Sequence, residues 1–474
     1  MGSGVERQHY GITFAVLALA GAAYAMLQST VAPALPVIQE ELNASATATA
    51  WVFTGYLLSA SVLTPIVGRL GDMFGKERTL VISLAVLSLG VLMAALAKSI
   101  GMLILARVVQ GSGGAIFPLA FGIIRDEFPR EKSAQGIALI SAILGIGGGL
   151  GIVLAGPIIS AFDYHWLFWF PLMVTVAATV ATVFFIPESP VKSPGKVDWG
   201  GAALLSSWLV LLLLGITQTS EWGWGDPRVW ALLAAAAAML AVWIRFEHRS
   251  REPLVDMAMM RIRGVWTVNA AAFLVGAGMY SSFILVPEFV ETPISSGYGY
   301  GSSVTQAGLF LLPATVMMLV ISPIAGSLTA RIGARANLIA GCVVTTAAFT
   351  LMALAHQHQF DMYVATALMG AGIALAFSAL ANLIVEAVPP EQTAVATGMN
   401  TVMRTLGGAV GGQVGASLIA GTVVAANLPT ESGFTLAFLF AAGACLLSAA
   451  ASLSVPRRTR ALAPGVASPL TASD

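Results

Sequence analysis

Charged side chains are scarce in this chain: Asp, Glu, Lys and Arg together make up 10% of its 474 residues. Soluble globular proteins carry roughly 25%, so a surface held mostly in water is excluded. The formal net charge is zero, which removes the bulk basic character of a nucleic-acid binder. Cysteine is nearly absent too. Cys342 and Cys445 both lie in apolar runs and form no motif, so neither a disulfide nor a metal site is expected. The five histidines (His9, His165, His248, His356 and His358) fall in tails or between apolar runs. No His or Asp lies deep inside such a run, so an intramembrane Ser–His pair or aspartyl dyad has no members. Lysine is the rarer base, with five Lys against eighteen Arg, and Ala and Gly are abundant, a usage associated with GC-rich bacterial genomes. No soluble signalling domain and no cofactor motif is present, so neither a sensor nor a cofactor enzyme is expected.

What remains is apolar. Hydrophobic residues make up 57% of the chain and the mean hydropathy is +0.85. Apolar runs approaching the ~20 residues that a membrane crossing needs recur from end to end. Fourteen are expected, near 11–33, 48–69, 79–97, 102–124, 135–159, 166–186, 198–218, 228–245, 266–289, 304–329, 337–355, 362–385, 394–424 and 434–455. The first run follows a short charged segment and contains Ala-x-Ala patterns, so a cleaved signal peptide is an alternative. Its length and its direct continuation into further spans favour an uncleaved helix.

The distribution of basic residues sets the expected orientation. With the N-terminus inside, the outer segments keep only Lys98 and Arg228 of the 23 Lys and Arg residues, while Arg107 and Arg404 lie within spans. The rest fall inside, as the positive-inside rule requires. A missed helix would invert every later loop, so the same asymmetry supports fourteen spans, with both termini cytoplasmic.

An internal repeat divides the chain. Gly68-Arg69-Leu70-Gly71-Asp72-Met73-Phe74-Gly75 is echoed by Gly326-Ser327-Leu328-Thr329-Ala330-Arg331-Ile332-Gly333, an offset of 258. Asp126-Glu127-Phe128-Pro129-Arg130-Glu131 is echoed by Glu386-Ala387-Val388-Pro389-Pro390-Glu391, an offset of 260. Both copies fall on the same side, as repeats related by an axis along the membrane normal do. The expected organisation is an N-terminal six-helix bundle over 1–187, an inserted helix pair over 188–250, a C-terminal six-helix bundle over 251–455 and a disordered tail over 456–474. The fold class is therefore an all-α integral membrane protein of two six-helix bundles plus two central helices.

The segment Gly68 to Arg78 carries the most specific signal. Its glycines suit a tight turn between helices. Asp72 is placed to meet the N-terminus of a neighbouring helix or a nearby Arg, and so to latch one conformation shut. The bland alternative is a solvated turn whose charges only set topology. A phosphate-binding loop fails on spacing: Gly71 to Lys76 is one residue short, and Glu77 stands at the Ser/Thr position.

This segment resembles the signature between helices 2 and 3 of the major facilitator superfamily, matching it at Gly68, Leu70, Asp72, Gly75 and Lys76. Met73 and Glu77 stand where the family usually has basic residues. Over essentially the whole chain to about residue 455 the pattern looks like the fourteen-helix drug:proton antiporters of that superfamily. The resemblance implies a secondary transporter working by alternating access, with Gly68, Asp72, Gly75, Lys76 and Arg78 forming a gating loop.

Other residues take meaning beside it. Arg107, in Arg107-Val108-Val109-Gln110-Gly111, lies well inside its span, where an isolated charge costs ~3 kcal/mol on the lenient insertion scale. It should face a cavity or a partner, the alternative being snorkelling to the headgroups. The segment is similar to the family's helix-4 motif, in which this Arg is linked to proton coupling. Arg404 lies near the middle of the thirteenth span, too deep to snorkel readily, and resembles a basic position in that family. In the fifth span Gly147, Gly151, Gly156 and Pro157 allow close helix packing and bending. Ile152 stands where the family's antiporter motif has a Pro. In the first span, Gln28 stands where relatives often have an Asp before a Thr-Val pair. Gln28 bonds a ligand but carries no proton, so coupling needs another carboxylate. Glu288 and Glu291, three apart near the outer end of the ninth span, are the candidates, with Glu288 the deeper.

Tyr164, Trp166, Trp169, Trp222, Trp224 and Trp230 cluster near span ends, as an anchoring belt does. The His356-Gln357-His358 stretch reads as a polar outer turn. Arg245 to Arg263 is basic and suits an amphipathic helix lying along the membrane surface. The expected function is proton-driven export of small, partly apolar compounds such as drugs or antibiotics. Its alternative is a metabolite or lipid carrier without proton coupling. The expected partners are a small-molecule substrate and the lipid bilayer, with no nucleic acid and no cofactor. The expected setting is a monomer in a bacterial cytoplasmic membrane.

Overall fold

A backbone in hydrocarbon must satisfy its own N–H and C=O groups, and only helices or closed barrels do so. The computed structural model describes residues 10–31, 34–44, 46–189, 192, 198–420 and 429–456, and all its regular structure is helical. The first six long helices are α1 (Tyr10–Ser29), α2 (Ala46–Phe74), α3 (Lys76–Ala95), α4 (Ile100–Glu127), α5 (Arg130–Ala161) and α6 (Trp166–Phe185). A pair follows, α7 (Trp199–Thr217) and α8 (Pro227–Glu247). The last six are α9 (Arg263–Glu291), α10 (Val304–Phe310, resuming as Leu312–Ile332), α11 (Ala334–Leu354), α12 (Gln359–Ala387), α13 (Thr393–Ala420) and α14 (Glu431–Ser452).

Among the described residues, 13 helices are long and apolar enough to cross a membrane. The fourteenth expected crossing is α13, whose Thr, Asn, Arg, Gln and Gly residues dilute its hydropathy. It tolerates them because it packs against α9 on one side and α2 on another. An interior helix need not be greasy all round.

The two sets of six repeat one another. The turns between α2 and α3 and between α10 and α11 each rest on one glycine with positive φ, Gly75 at 118° and Gly333 at 88°. A side chain would be strained at either. The halves meet through α2 on α13 and α5 on α10, and the close approaches are themselves paired. A Cβ at Gly68 would lie 2.8 Å from the Ala394 carbonyl oxygen, and one at Gly326 would lie 2.9 Å from the Gln135 Cα. Each repeat thus uses the same helix-end glycine to seat its second helix on the fifth helix of the other half. The pair α7–α8 packs on itself and touches the halves through α7, against α2 and α13.

Three expectations change. The segment Gly68 to Arg78 is not an extended loop. Helix α2 runs to Phe74 and α3 begins at Lys76, so Gly75 alone forms the turn. Helix α8 runs on to Glu247, and the basic stretch before α9 holds only the five-residue helix Met257–Arg261, too short to lie as a surface amphipath. Its Met257 and Met259 are buried in the protein rather than turned to lipid. Tyr164 is buried and donates to the Ala97 carbonyl at 3.2 Å, so it staples the α6 entry to the end of α3 instead of anchoring in the headgroups. The tail beyond Pro456, Arg7, His9, Lys196 and the end of the thirteenth span beyond Ala420 lie outside the described residues.

Helices α9 and α13 approach closely enough that a Cβ at Gly407 would strike the Phe273 carbonyl, and one at Gly411 the Ala277 carbonyl. Their partners are backbone, which has little room to give. Overpacking a well-packed core typically costs about 1–3 kcal/mol, and Gly407→Leu should reach at least the upper part of that range. The buried thiols of Cys342 and Cys445 report unfolding to a thiol-reactive fluorophore. Gly407→Leu should lower the thermal midpoint read this way by several degrees in detergent. Gly101→Leu, with nothing within 4 Å of its Cβ position, should leave it unchanged. Equal midpoints for the two variants would contradict the packing.

Candidate functional site

Two polar assemblies lie at membrane depth or at its edge, and both join separate helices. The first is at the Arg-rich end of the bundle, where α2 ends. Helix α13 starts there, and its first N–H groups lack intrahelical partners. The Asp72 carboxylate accepts from the Ala394 N–H at 3.2 Å and from the Val395 N–H at 2.9 Å. A carboxylate at this position meets both free donors and the positive end of the helix dipole, worth about half a charge. Lys76 sits beside it, Nζ 3.8 Å from Asp72 and 2.8 Å from Asp126 on α4, and Asp72 and Lys76 are both 0% exposed.

Neighbouring groups extend the assembly. The Ser189 hydroxyl donates to Asp126. Arg125, next in sequence, reaches across to the other half. It donates to the Thr393 hydroxyl at 2.7 Å and to the Val388 carbonyl at 2.9 Å, just ahead of α13. Arg78 lies outside this knot, on the surface, 3.3 Å from Glu188. Of the residues singled out from sequence, Gly68, Asp72, Gly75 and Lys76 come together here, with Arg78 at the periphery. Asp126 was visible only as part of the repeated Asp126–Glu131 segment, and Arg125, just before it, was not singled out.

The second assembly is in the middle of the bundle. Helix α4 is interrupted by a 3-10 stretch, Gly111–Ala115, whose glycines press it against α2 and the Tyr24 ring. Arg107 and Gln110 stand just before that break. Arg107 is 0% exposed, so it does not snorkel. Its Nε donates to the Val52 carbonyl of α2 at 3.2 Å, and its Nη1 to the Leu27 carbonyl of α1 at 3.1 Å and to Gln110 Oε1 at 2.7 Å. Gln110 passes the link on to the Gly90 carbonyl of α3 at 3.0 Å. The guanidinium also stacks 4.1 Å from the Tyr56 ring. One side chain therefore ties α1, α2 and α4 together.

From the other half, Arg404 on α13 is 8% exposed and lies 4.5 Å over the Phe377 ring of α12, beside Tyr280 of α9. Tyr24 of α1 interacts electrostatically with both arginines and with Tyr280. Sequence reasoning did not single out Tyr24, Tyr56 or Tyr280. The signal existed: Tyr24 and Tyr280 are 256 residues apart, close to the repeat offset.

The remaining candidates lie elsewhere. Gln28 is half-buried, one turn beyond Tyr24 on the same helix. Gly147 and Gly151 seat α5 against Ala25 and Ser29 of α1, while Gly156, one residue before Pro157, meets Thr305 of α10 in the other half. Glu288 is about two turns from Tyr280, roughly 12 Å at ~1.5 Å per residue, so it does not join the arginine cluster. Along the span Glu288 lies deeper than Glu291, as expected. In the structure Glu288 is exposed and Glu291 half-buried, because residues three apart on a helix diverge in facing by about 60°. Trp224 donates to Ser417 of α13 at 2.9 Å, fixing the α7–α8 connection to the C-terminal half.

A bundle of two six-helix repeats, joined at one end by a buried ion cluster around a closed polar centre, defines a polytopic membrane transporter rather than an enzyme. The sequence model described as Major Facilitator Superfamily matches residues 17–412 and, overlapping, 268–471, and the chain belongs to that family. It is 30% identical over 380 residues to the tetracenomycin C resistance and export protein of Streptomyces glaucescens, covering 79% of this chain and 69% of that protein. It is 27% identical over 369 residues to the multidrug resistance protein Stp of Mycobacterium tuberculosis, covering 77% and 68%. It is 29% identical over 279 residues to multidrug resistance protein 3 of Bacillus subtilis, covering 58% and 53%. In structure it is similar to the human organic anion transporter MFSD10, with a TM-score of 0.68 over 94% of this chain and 99% of that one, at 15% identity. That likeness establishes the fold alone.

The Asp72 contact makes a direct prediction. Asp72→Asn keeps the shape and an acceptor but removes the charge that the α13 N-terminus and Lys76 meet. Charge-assisted bonds contribute about 1.5–3 kcal/mol, and each ~1.4 kcal/mol is tenfold in an equilibrium. Thr397, one turn into α13 and 2% exposed, is a suitable reporter. In a Thr397→Cys protein, labelling by a membrane-impermeant maleimide from the Arg-rich side should accelerate about tenfold when Asp72→Asn is added. An unchanged rate would show that the ion cluster does not hold this end closed.

Proposed function

We propose that this protein exports small, partly apolar compounds of the drug or antibiotic kind in exchange for protons, by alternating access between its two halves. The observation that carries the reading is the Asp72 carboxylate of one half seated on the start of α13 in the other. A buried ion cluster closing one end is the element that alternating access needs to make and break. The export direction is supported by the relatives named for resistance and export. In this reading residues 1–187 and 251–455 are the two moving bundles, 188–250 the inserted pair, and the Arg-rich end faces the cytoplasm of a bacterial inner membrane. The protein works as a monomer, its energy source is the proton gradient and no cofactor takes part. Glu288, exposed toward the opposite end of α9, takes up the proton from outside.

A second reading keeps the family and removes the proton: a carrier of one metabolite or lipid. Two observations favour it, the amide of Gln28 in the first span and the absence of a carboxylate paired with either central arginine among the described residues.

Inside-out vesicles separate the two. With an imposed ΔpH, a panel of fluorescent anions and cations should show accumulation that stops when the gradient is collapsed. Glu288→Gln should cut that accumulation at least tenfold. Accumulation indifferent to ΔpH would discard the proton and leave the carrier. Gradient-dependent accumulation untouched by Glu288→Gln would move the proton site elsewhere.

A further inference from the structure

The central arginines are held by neutral groups only. Around Arg107 the partners are the Val52 and Leu27 carbonyls, the Gln110 amide and the Tyr56 ring, and its Nη2 has no partner. Around Arg404 they are the Phe377 ring and Tyr280, and its Nε has no partner. The ionisable side chains acting on the two guanidinium groups are Tyr56, Tyr24 and Tyr280, and none of these is a carboxylate. No carboxylate reaches either arginine among the described residues. Two positive charges thus stand near the middle of a bundle with nothing of opposite sign, and each keeps an unpaired N–H group more than nine-tenths buried.

Burying a cation unpaired is costly, and leaving one of its donors unbonded adds to that cost. Such an arrangement is retained where a ligand supplies what is missing. The walls narrow the ligand further. Tyr24, Tyr56, Tyr280 and Phe377 bring aromatic faces and hydroxyls from α1, α2, α9 and α12 around the charges. Rings of this kind stack on a flat aromatic body while guanidinium groups bind a carboxylate or phenolate oxygen. A lipophilic cation would meet two like charges instead.

We propose that the substrate of this transporter is an aromatic organic anion, a phenolate or carboxylate, whose negative group lies between Arg404 and Arg107 and whose ring stacks among Tyr24, Tyr56 and Tyr280. The proposal rests on the transporter reading above and specifies its substrate class. Arg404 and Tyr280 belong to one half and Arg107, Tyr24 and Tyr56 to the other, so the anion bridges both. In the conformation described here the centre is closed to solvent, so the anion enters when the halves part. Arg107 also braces three helices, which makes Arg404 the residue to vary.

The test uses the purified full chain, with fluorescein as the anionic aromatic probe and ethidium as the cationic one. Fluorescein should bind, read by anisotropy. Arg404→Gln should weaken it at least tenfold, Arg404→Lys should restore part of the loss, and Tyr280→Phe should weaken it severalfold. The thiol-exposure midpoint of each variant should match the parent, which separates lost binding from lost fold. In proteoliposomes fluorescein should be transported and ethidium should not. If fluorescein fails to bind, or binds equally to Arg404→Gln, the substrate class is overturned. Ethidium transport would then leave the exporter reading standing, while transport of neither probe would count against both.

Discussion

Polar atoms at the depth of the hydrocarbon have only protein to bond to, and the architecture is organised by where that demand is met. Arg107 shows it being met: one guanidinium takes two backbone carbonyls and an amide oxygen from three helices, and the cost of its depth becomes the adhesion of α1, α2 and α4. The 3-10 break after it follows from the same demand. Gly111–Ala115 brings α4 close enough to α2 for the Arg107 and Ser59 contacts to form, with the Ser59 hydroxyl on the Val108 carbonyl. A regular, bulkier helix would hold the guanidinium away from its acceptors.

The same demand explains an asymmetry between the repeats. Gly68 and Gly326 seat their helices alike, yet the position equivalent to Asp72 is Ala330. The N-terminal half therefore carries a carboxylate from this position to the start of α13, while the equivalent position of the C-terminal half holds a methyl group. At that second junction Asn382 donates to the Ala134 carbonyl at 3.3 Å, a neutral contact. The Asp72 contact thus has no counterpart at the equivalent position of the second junction.

Much of this was legible in the sequence for physical reasons. Hydrocarbon thickness fixes span length, so composition and run length yield the crossings, and the basic residues outside them yield an expected sidedness. Helix α13 is among the fourteen expected crossings although its hydropathy is weak, and the asymmetry of loop charge supports that count. What stayed hidden was contact between residues far apart in the chain. Nothing local marks Val395 as the acceptor's partner, since any residue has a backbone N–H. Nothing local tells that Tyr24, Tyr56 and Tyr280 converge, because a tyrosine in an apolar run is as often an interfacial anchor. Tyr164 shows the converse, an expected anchor that is a buried staple. The facing of Glu288 was not legible either, because depth along a helix says nothing about azimuth.

The balance of these terms decides whether such a bundle switches or merely holds. A cluster that held one end shut by tens of kcal/mol would trap the protein, and one worth nothing would leave the end open. The Asp72–Lys76–Asp126 knot falls between because its gains are offset at source. Each charge-assisted bond brings about 1.5–3 kcal/mol, but two carboxylates and an ammonium are desolvated to make them, and such burial recovers much of its gain in penalty. When the halves part, water reaches the same groups and returns their solvation. The net preference is then a few kcal/mol, close to the ~5.5 kcal/mol of differential affinity that carries a two-state equilibrium from 1:99 to 99:1. An anion settling between Arg404 and Arg107 supplies energy on that scale at a place where both halves present unpaired donors. The charge that the centre lacks and the latch that the end possesses are therefore two sides of one equilibrium, with the substrate able to tip it because the protein has left its own arginines unneutralised.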